Sequence, residues 1–310
     1  MIYLNENRII RAEEWQEIIT RLALKKEIDE AKTIVIKPNF TAGTYKDPKS
    51  HSISDLALLR SCILFLADEN PNAMIYIAES DTTCYSFSYL KFEHLGLPES
   101  LALPAPVAER VSLLDMTRDR LVQFKDKKLR FFTTADRKLF LSQTLLEADF
   151  RVSLSNLKTH DITGYTGACK NLFGCLPDSD KSVYHPNLSK VVHDLVVATR
   201  PDLSIVDAFY GMEKNGPVRG VDVDSGFRII SDNAVEADVY ATKAVNYPTT
   251  NIGYLKLLSK TYGISLDSDT KTIKTYARTD FFFRTKNAIG LTIQRCGQAI
   301  AAFGRRIYFR

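Results

Sequence analysis

Amphipathic helical stretches alternate with short apolar runs along this chain. Trp15, Ile18, Ile19, Leu22 and Leu24 recur at helical spacing over 12–28, and Thr33-Ile34-Val35-Ile36 follows as a buried strand stopped by Pro38. Helical spacing returns over 54–69, with Ser54 as the expected N-cap and Leu58, Leu59, Ile63 and Leu66 facing inward. A second strand is expected over 73–78. Helix, strand, helix, strand predicts a βαβ-type parallel sheet. Over 111–141 the pattern shifts to short strands, Leu121–Phe124 and 129–133, joined by Lys/Asp turns, which predicts an antiparallel insertion. Residues 150–155 alternate as a half-buried strand does, so Lys158 and His160 are expected where strand gives way to loop. A helix over Leu188–Thr199, a strand over 203–207, a Gly/Pro/Asp-rich loop over 211–226 and a strand over 227–230 come next. Asp232 is then expected to cap a helix over 234–246. The predicted class is α/β: a mixed, largely parallel sheet with helices, two lobes around a cleft with a boundary near 145, and the antiparallel insertion near 111–141.

The last thirty residues, 281–310, contain no acidic residue and carry Arg284, Lys286, Arg295, Arg305, Arg306 and Arg310. Ile289, Ile293, Cys296, Ile300, Phe303 and Ile307 fall on one helical stripe, so a basic amphipathic helix is expected beside a 1–280 α/β domain. Such a helix docks on its own domain, on an anionic membrane surface, or on a protein partner.

Composition narrows the class. With 310 residues, 45% hydrophobic and 25% charged, the chain buries a sizeable core and reads as a soluble globular enzyme. A net charge of +4 favours anionic ligands slightly and falls short of what nucleic-acid binding requires. Five cysteines without a regular framework and an amino terminus lacking an apolar leader predict a cytoplasmic protein. No uncharged apolar run is long enough to span a membrane, and without a CxxCxxC run no iron–sulfur cluster is expected.

Candidate chemistry concentrates in 156–185. Histidine suits proton transfer near neutrality and is the commonest metal ligand, which singles out His160 as a catalytic residue and His185 as a metal ligand. The small residues between His160 and Lys170, including Thr166 and Gly167, let a backbone approach a ligand and offer amides to an anion. Lys170 begins an expected short helix reaching Gly174; a lysine there is disfavoured unless it meets an anion or has its pKa lowered, which makes it a nucleophile or base. Lys158 joins it as a catalytic candidate, and Asn171 as a binding one. Lys37 and Asn39 end the first strand and are expected ligand contacts at the same sheet edge. Asp81, ending the second, is a base or a turn residue, and Glu213 lies in a tight polar loop with Asn215, Gly216 and Pro217 that holds a carboxylate in a site or merely turns the chain. His94 is an alternative second acid/base. His193 on an apolar helix face reads as structural, and Cys169 and Cys175, with a spacing unlike zinc or redox motifs, as buried thiols.

Together, Lys37-Pro38-Asn39, Ser155 to His160, Thr166 to Gly174, Tyr184-His185 and Met212 to Pro217 resemble domain-of-unknown-function family 362. Many members of that family carry an added ferredoxin segment that this sequence lacks. More distantly, the order His160, Gly164-Tyr165-Thr166-Gly167-Ala168, Lys170, His185 is similar to the central motif of the lactate racemase family. That likeness implies His160 as acid/base, Lys170 as the attachment point of a nickel-pincer nucleotide and His185 as a nickel ligand. Asn171-Leu172-Phe173-Gly174 departs from that family after the lysine, which points to shared fold before shared cofactor. The expected function is acid/base or hydride chemistry next to a carboxylate on a small anionic metabolite: racemisation, epimerisation or elimination, with or without a metal ion. The alternatives are a covalent-lysine or metal-dependent enzyme of other chemistry, and a noncatalytic scaffold acting through 281–310.

Overall fold

The computed structural model describes residues 1–40, 52–82, 91–217, 219–267, 270–278, 289–290, 292–294 and 296. Its strands are β1 (Ile2–Asn5), β2 (Thr33–Lys37), β3 (Met74–Glu79), β4 (Val111–Asp115), β5 (Leu121–Phe124), β6 (Leu139–Ser142), β7 (Phe150–His160), β8 (Gly164–Thr166), β9 (Leu203–Glu213), β10 (Val221–Asp224) and β11 (Arg228–Ser231). Its helices are α1 (Ala12–Leu22), α2 (Lys25–Glu30), α3 (Leu56–Glu69), α4 (Lys91–His94), α5 (Ala105–Ala108), α6 (Gln143–Glu147), α7 (Ala168–Asn171), α8 (Leu188–Thr199), α9 (Ala234–Ala244) and α10 (Gly253–Tyr262).

One sheet runs in the order β1-β11-β9-β7-β2-β3-β4, with β8 added to β7 and β10 to β9, and it is continuous across residue 145. Its five strands β9, β7, β2, β3 and β4 are parallel; β1, β11, β8 and β10 pair antiparallel. Period-two alternation divides the apolar side chains between two cores. Ile34 and Ile36 of β2, Val152 and Leu154 of β7 and Ile205 of β9 join one with α1 and α3, while Val35, Leu157 and Val206 join the other with α8, α9 and α10. In the first core Trp15 stacks on Phe65 with centroids 5.7 Å apart, and its indole N–H donates to Ser61 at 2.8 Å, tying α1 to α3.

Several expectations change. The helical stretch over 12–28 breaks in two where Ala23 turns left-handed at φ 57°. The cap of α3 is Asp55, which accepts from the amide of Ala57 at 2.8 Å; Ser54 is buried and accepts from the Asn39 amide at 2.8 Å instead. Likewise Asn233, not Asp232, caps α9. Val111–Asp115 joins the parallel sheet as an edge strand, and the antiparallel pair is β5 with β6. Residues 129–133 form no strand because the amides of Arg130, Phe131 and Phe132 donate to the buried Asp194 carboxylate at 2.7–3.1 Å. The strands on either side of the cleft are longer than expected: β7 continues to His160 by pairing with β8, and β9 continues to Glu213 by pairing with β10.

No described helix is long and apolar enough to cross a membrane. The basic helix expected over 281–310 lies almost wholly outside the described residues. Of the few described, Ile289 and Ile293 are exposed, and Gln294 donates to the Ser182 carbonyl at 2.9 Å.

Candidate active site

Strand order reverses at β2: β3 and β4 lie to one side of it, β7 and β9 to the other. Helical connections at such a point diverge to opposite faces and leave a crevice beyond the strand ends, the usual place for a ligand in an open α/β sheet. Here it is a cavity of about 270 Å³, room for about nine waters at roughly 30 Å³ each. Asn39 comes from beyond β2, Thr82 from beyond β3, Lys158 and His160 from β7, and Thr166 from β8. Lys170 and Asn171 of α7, Phe173 and Gly174 behind it, and Lys181, Ser182 and His185 complete most of the wall.

The histidine is a strand residue. Alternation along β7 puts Lys158 and His160 on the same side, and both are buried. His160 Nδ1 lies 2.9 Å from Asp161 Oδ1, which also receives the Ile162 amide at 3.0 Å. The Ile162 and Thr163 amides also donate toward Nδ1, at 3.1 and 3.4 Å. A proton on Nδ1 satisfies Asp161 and leaves the Nε2 lone pair for chemistry, whereas a proton on Nε2 lets Nδ1 accept the two amides instead. Burial, with lesser repulsion from Lys170 and Lys158, lowers the His160 pKa although Asp161 works to raise it. For Asp161 burial acts upward, but its hydrogen bond to His160, the imidazolium charge and the Ile162 amide leave its pKa lowered. The pair is therefore a neutral imidazole oriented by a carboxylate.

Three lysines line the cavity. Lys158 is 1% exposed and donates to the Ser52 carbonyl at 2.6 Å. Burial, then repulsion from Lys170 and Lys37, lowers its pKa to about 7. Lys170 sits 4.3 Å from the centre of the Phe173 ring, a cation–π contact. Lys181 is buried and donates to the carbonyls of Asp81 and Asp178 at 2.6 and 2.8 Å. His185 stacks on Phe173 with centroids 6.0 Å apart, and burial, followed by Lys170 and His160, lowers its pKa to about 4, so it stays neutral.

Other expected contacts stand behind this wall. Lys37 is buried in an ion pair with Glu79 at 3.0 Å, beneath Gly174, where a Cβ would come within 2.9 Å of Lys37 Cε. Asn171 lines the cavity while its Nδ2 ties the Lys37 carbonyl to Ser153 Oγ at 2.9 and 3.1 Å. Asp81 pairs with Arg118 at 3.3 Å and does not line the cavity. Gly167 is where two side chains close in, since a Cβ there would lie 2.2 Å from Asp238 Oδ1 and 2.3 Å from the Tyr165 hydroxyl. Glu213 accepts the Ala277 amide at 2.7 Å, away from the cavity. What its loop contributes is Pro217 at the rim and Gly216, whose carbonyl receives the Asp161 amide at 3.2 Å. The His94 side chain lies outside the described residues. His193 is buried between Asp194 and Thr261 at 2.8 Å each, and the thiols of Cys169 and Cys175 are buried and held protonated by that burial.

Sequence reasoning passed over four residues that organise the site. Asp161 was signalled by its place next to His160 at a strand end, and Lys181 by lying in the same reactive segment. Glu79 was signalled only by its place at the end of the second strand, and Asp238 carried no local signal. Asp238 is fully buried 70 residues from the turn it holds, accepting the Ala168 and Cys169 amides at 2.7 and 3.1 Å.

A metal fits this arrangement poorly. Among the described residues no group of three or more His, Cys, Asp or Glu is disposed to hold an ion, and Asp161, the acidic residue on the wall, is engaged by His160. A bare ion on His185 would find no such protein ligand set among the described residues; a nickel already held by a nucleotide tethered at Lys170 would ask only His185 of the protein.

The sequence model of the family described as Domain of unknown function (DUF362) matches residues 34–243. A thylakoid-associated protein of Synechocystis sp. is 30% identical over 129 residues, 39% of this chain and 40% of that protein, so the match spans two fifths of the relative's length. Among solved structures, the lactate racemase apoprotein of Thermoanaerobacterium thermosaccharolyticum is similar with a TM-score of 0.45 and 11% identity, over 76% of this chain and 55% of that one.

Proposed function

For a chain that belongs to the DUF362 family, whose description assigns no activity, we propose acid/base chemistry on a small anionic metabolite, at a carbon next to its carboxylate. One observation carries this reading. An imidazole oriented by a carboxylate and three lysines converge on a single cavity of about 270 Å³ at the strand-order reversal.

The positive wall recruits the anion, and Lys170 and Lys181 hold its carboxylate. His160 takes the proton from the neighbouring carbon through Nε2, while Asp161 steadies the imidazolium that forms. The electron pair moves into the carboxylate, and the ammonium groups on the wall stabilise the added charge. The His160 imidazolium hands the proton back to the carbon, while His185, neutral on the same wall, stays outside the proton transfer. Return at the opposite face inverts the centre, giving racemisation or epimerisation; departure of a neighbouring group gives elimination.

The test is exchange in deuterium oxide, followed by proton NMR over a panel of short hydroxy, oxo and amino acids with the full chain. Exchange at the carbon beside the carboxylate is expected for at least one, lost in His160→Asn and reduced in Asp161→Asn. Binding without exchange across the panel, or full exchange in His160→Asn, would overturn the assignment and favour a noncatalytic anion-binding role.

A further inference from the structure

Lys158 is set apart from its neighbours by geometry. It is 1% exposed yet faces the cavity, and the hydrogen bond from its Nζ runs to a backbone carbonyl, that of Ser52 at 2.6 Å, which a neutral amine satisfies as well as an ammonium does. Directly opposite it in the β7–β8 ladder stands Thr166, also on the cavity wall. Paired residues of an antiparallel ladder bring their side chains together on one face. The Thr166 hydroxyl is buried and has no hydrogen-bond partner among the described residues. A buried hydroxyl without a partner costs about 1–3 kcal/mol, and one facing a ligand cavity beside an amine points to a ligand oxygen as its missing partner.

We propose that Lys158 is a nucleophile that condenses with the ketone carbon of a short 3-oxo acid, with the Thr166 hydroxyl meeting the ketone oxygen. This rests on the preceding reading that the cavity takes a small carboxylate. The nitrogen lone pair forms the C–N bond as the carbonyl π pair moves to oxygen, and that oxygen takes up a proton. Loss of the oxygen as water and of the second amine proton leaves an imine, so one amine and one ketone give one imine and one water. Protonated, the imine lies one carbon beyond the carboxylate-bearing carbon. It draws in the electron pair released when His160 deprotonates that carbon, an electron sink the carboxylate alone supplies poorly. Repulsion from Lys170 and Lys37 adds to burial in keeping Lys158 neutral for a large share of the time at neutral pH.

The experiment is reductive trapping on the full chain at pH 7 with sodium cyanoborohydride, using formaldehyde in one arm and acetoacetate in the other, read by peptide mass mapping. A lysine that titrates near 7 presents about a thousandfold more neutral amine at that pH than a surface lysine titrating near 10.4. Even with restricted access, Lys158 should be methylated at least about tenfold faster than the median lysine. Acetoacetate should leave its reduced adduct on Lys158, more slowly in Thr166→Val and undiminished in His160→Asn. Surface lysines labelled while Lys158 stays bare in both arms would overturn the proposal. Formaldehyde labelling without an acetoacetate adduct would overturn the 3-oxo acid, while exchange across the acid panel in the same protein would leave the anion reading standing. An acetoacetate adduct with no exchange at the adjoining carbon would uphold the nucleophile and count against His160 as base.

Discussion

Replacing Asp238 with alanine should cost stability in a pH-dependent way that isolates one buried carboxyl. Asp238 is fully buried, accepts the Ala168 and Cys169 amides at 2.7 and 3.1 Å and receives the Tyr165 hydroxyl at 3.4 Å. Without it, two buried amides at the start of α7 lose their partner, at about 1–3 kcal/mol each, so about 2–6 kcal/mol at pH 4. Burial raises the Asp238 pKa from 3.8 to about 7, against the downward pull of those same donors. Because the folded value lies above the unfolded one, the group's contribution is fully present below about pH 4 and is lost as pH rises through about 7. That interval corresponds to about 4 kcal/mol. The gap between wild type and Asp238→Ala should therefore narrow by up to about 4 kcal/mol between pH 4 and 8. Lys158, lowered to about 7, contributes the opposite slope above pH 7, but it is common to both proteins and cancels in the difference. Urea denaturation of both proteins at half-unit pH steps measures the gap. A gap that is constant or widens with pH would refute the reasoning and mean that the amide donors outweigh burial and keep Asp238 ionised.

Asp161→Asn removes the partner that works to raise the His160 pKa, so the imidazole midpoint, already below its ordinary value through burial, should fall further; nitrogen-15 NMR of the ring reads this, and an upward move would contradict the orienting role. Gly167→Ala forces a Cβ to 2.2 Å from Asp238 Oδ1, and overpacking of this kind should cost about 1–3 kcal/mol in thermal melting; an unchanged melting temperature would show that the turn at α7 yields. Asp55→Ala should cost about 1 kcal/mol in urea denaturation through the lost cap of α3; no loss would place the cap elsewhere.

What could be read from the sequence was whatever a single element decides. Strand β2 announces itself by Thr33-Ile34-Val35-Ile36 and ends at Pro38, and α3 and α8 by their inward apolar positions, because burying one face is what makes those segments helices or strands. His160, Lys158 and Lys170 stood out because their types are rare beside so many glycines, and the structure brings them together with His185. What depended on distant partners could not be read. The strand character of 156–160 comes from β8 and from β9, which meets Lys158 at Met212 after a register shift. The absence of a strand at 129–133 is dictated by Asp194, more than sixty residues on. Asp55 beside Ser54 and Asn233 beside Asp232 are pairs of equally good caps in type, separable only by where the chain turns. Glu213 looked like a site carboxylate because its loop is at the site; the loop's backbone is what reaches it.

The distribution of charge around the cavity is unfavourable to the protein on its own. Two nearby carboxylates are engaged, Glu79 by Lys37 and Asp161 by His160, while Lys158 and Lys181 donate to backbone carbonyls. Burial lowers the pKa values of Lys158 and His185, and repulsion from the clustered cationic groups adds to it. A fold optimised for stability alone would replace such groups with apolar ones of similar volume. An anion entering the cavity relieves the repulsion, so its binding stabilises the folded state by mass action, about 2.7 kcal/mol at a hundredfold excess over its dissociation constant. Small carboxylates should accordingly raise the melting temperature more than chloride at equal ionic strength, and Lys170→Met should abolish the difference. Equal effects of carboxylate and chloride in the wild-type protein would mean the lysines answer to general screening and that the cavity does not select a carboxylate.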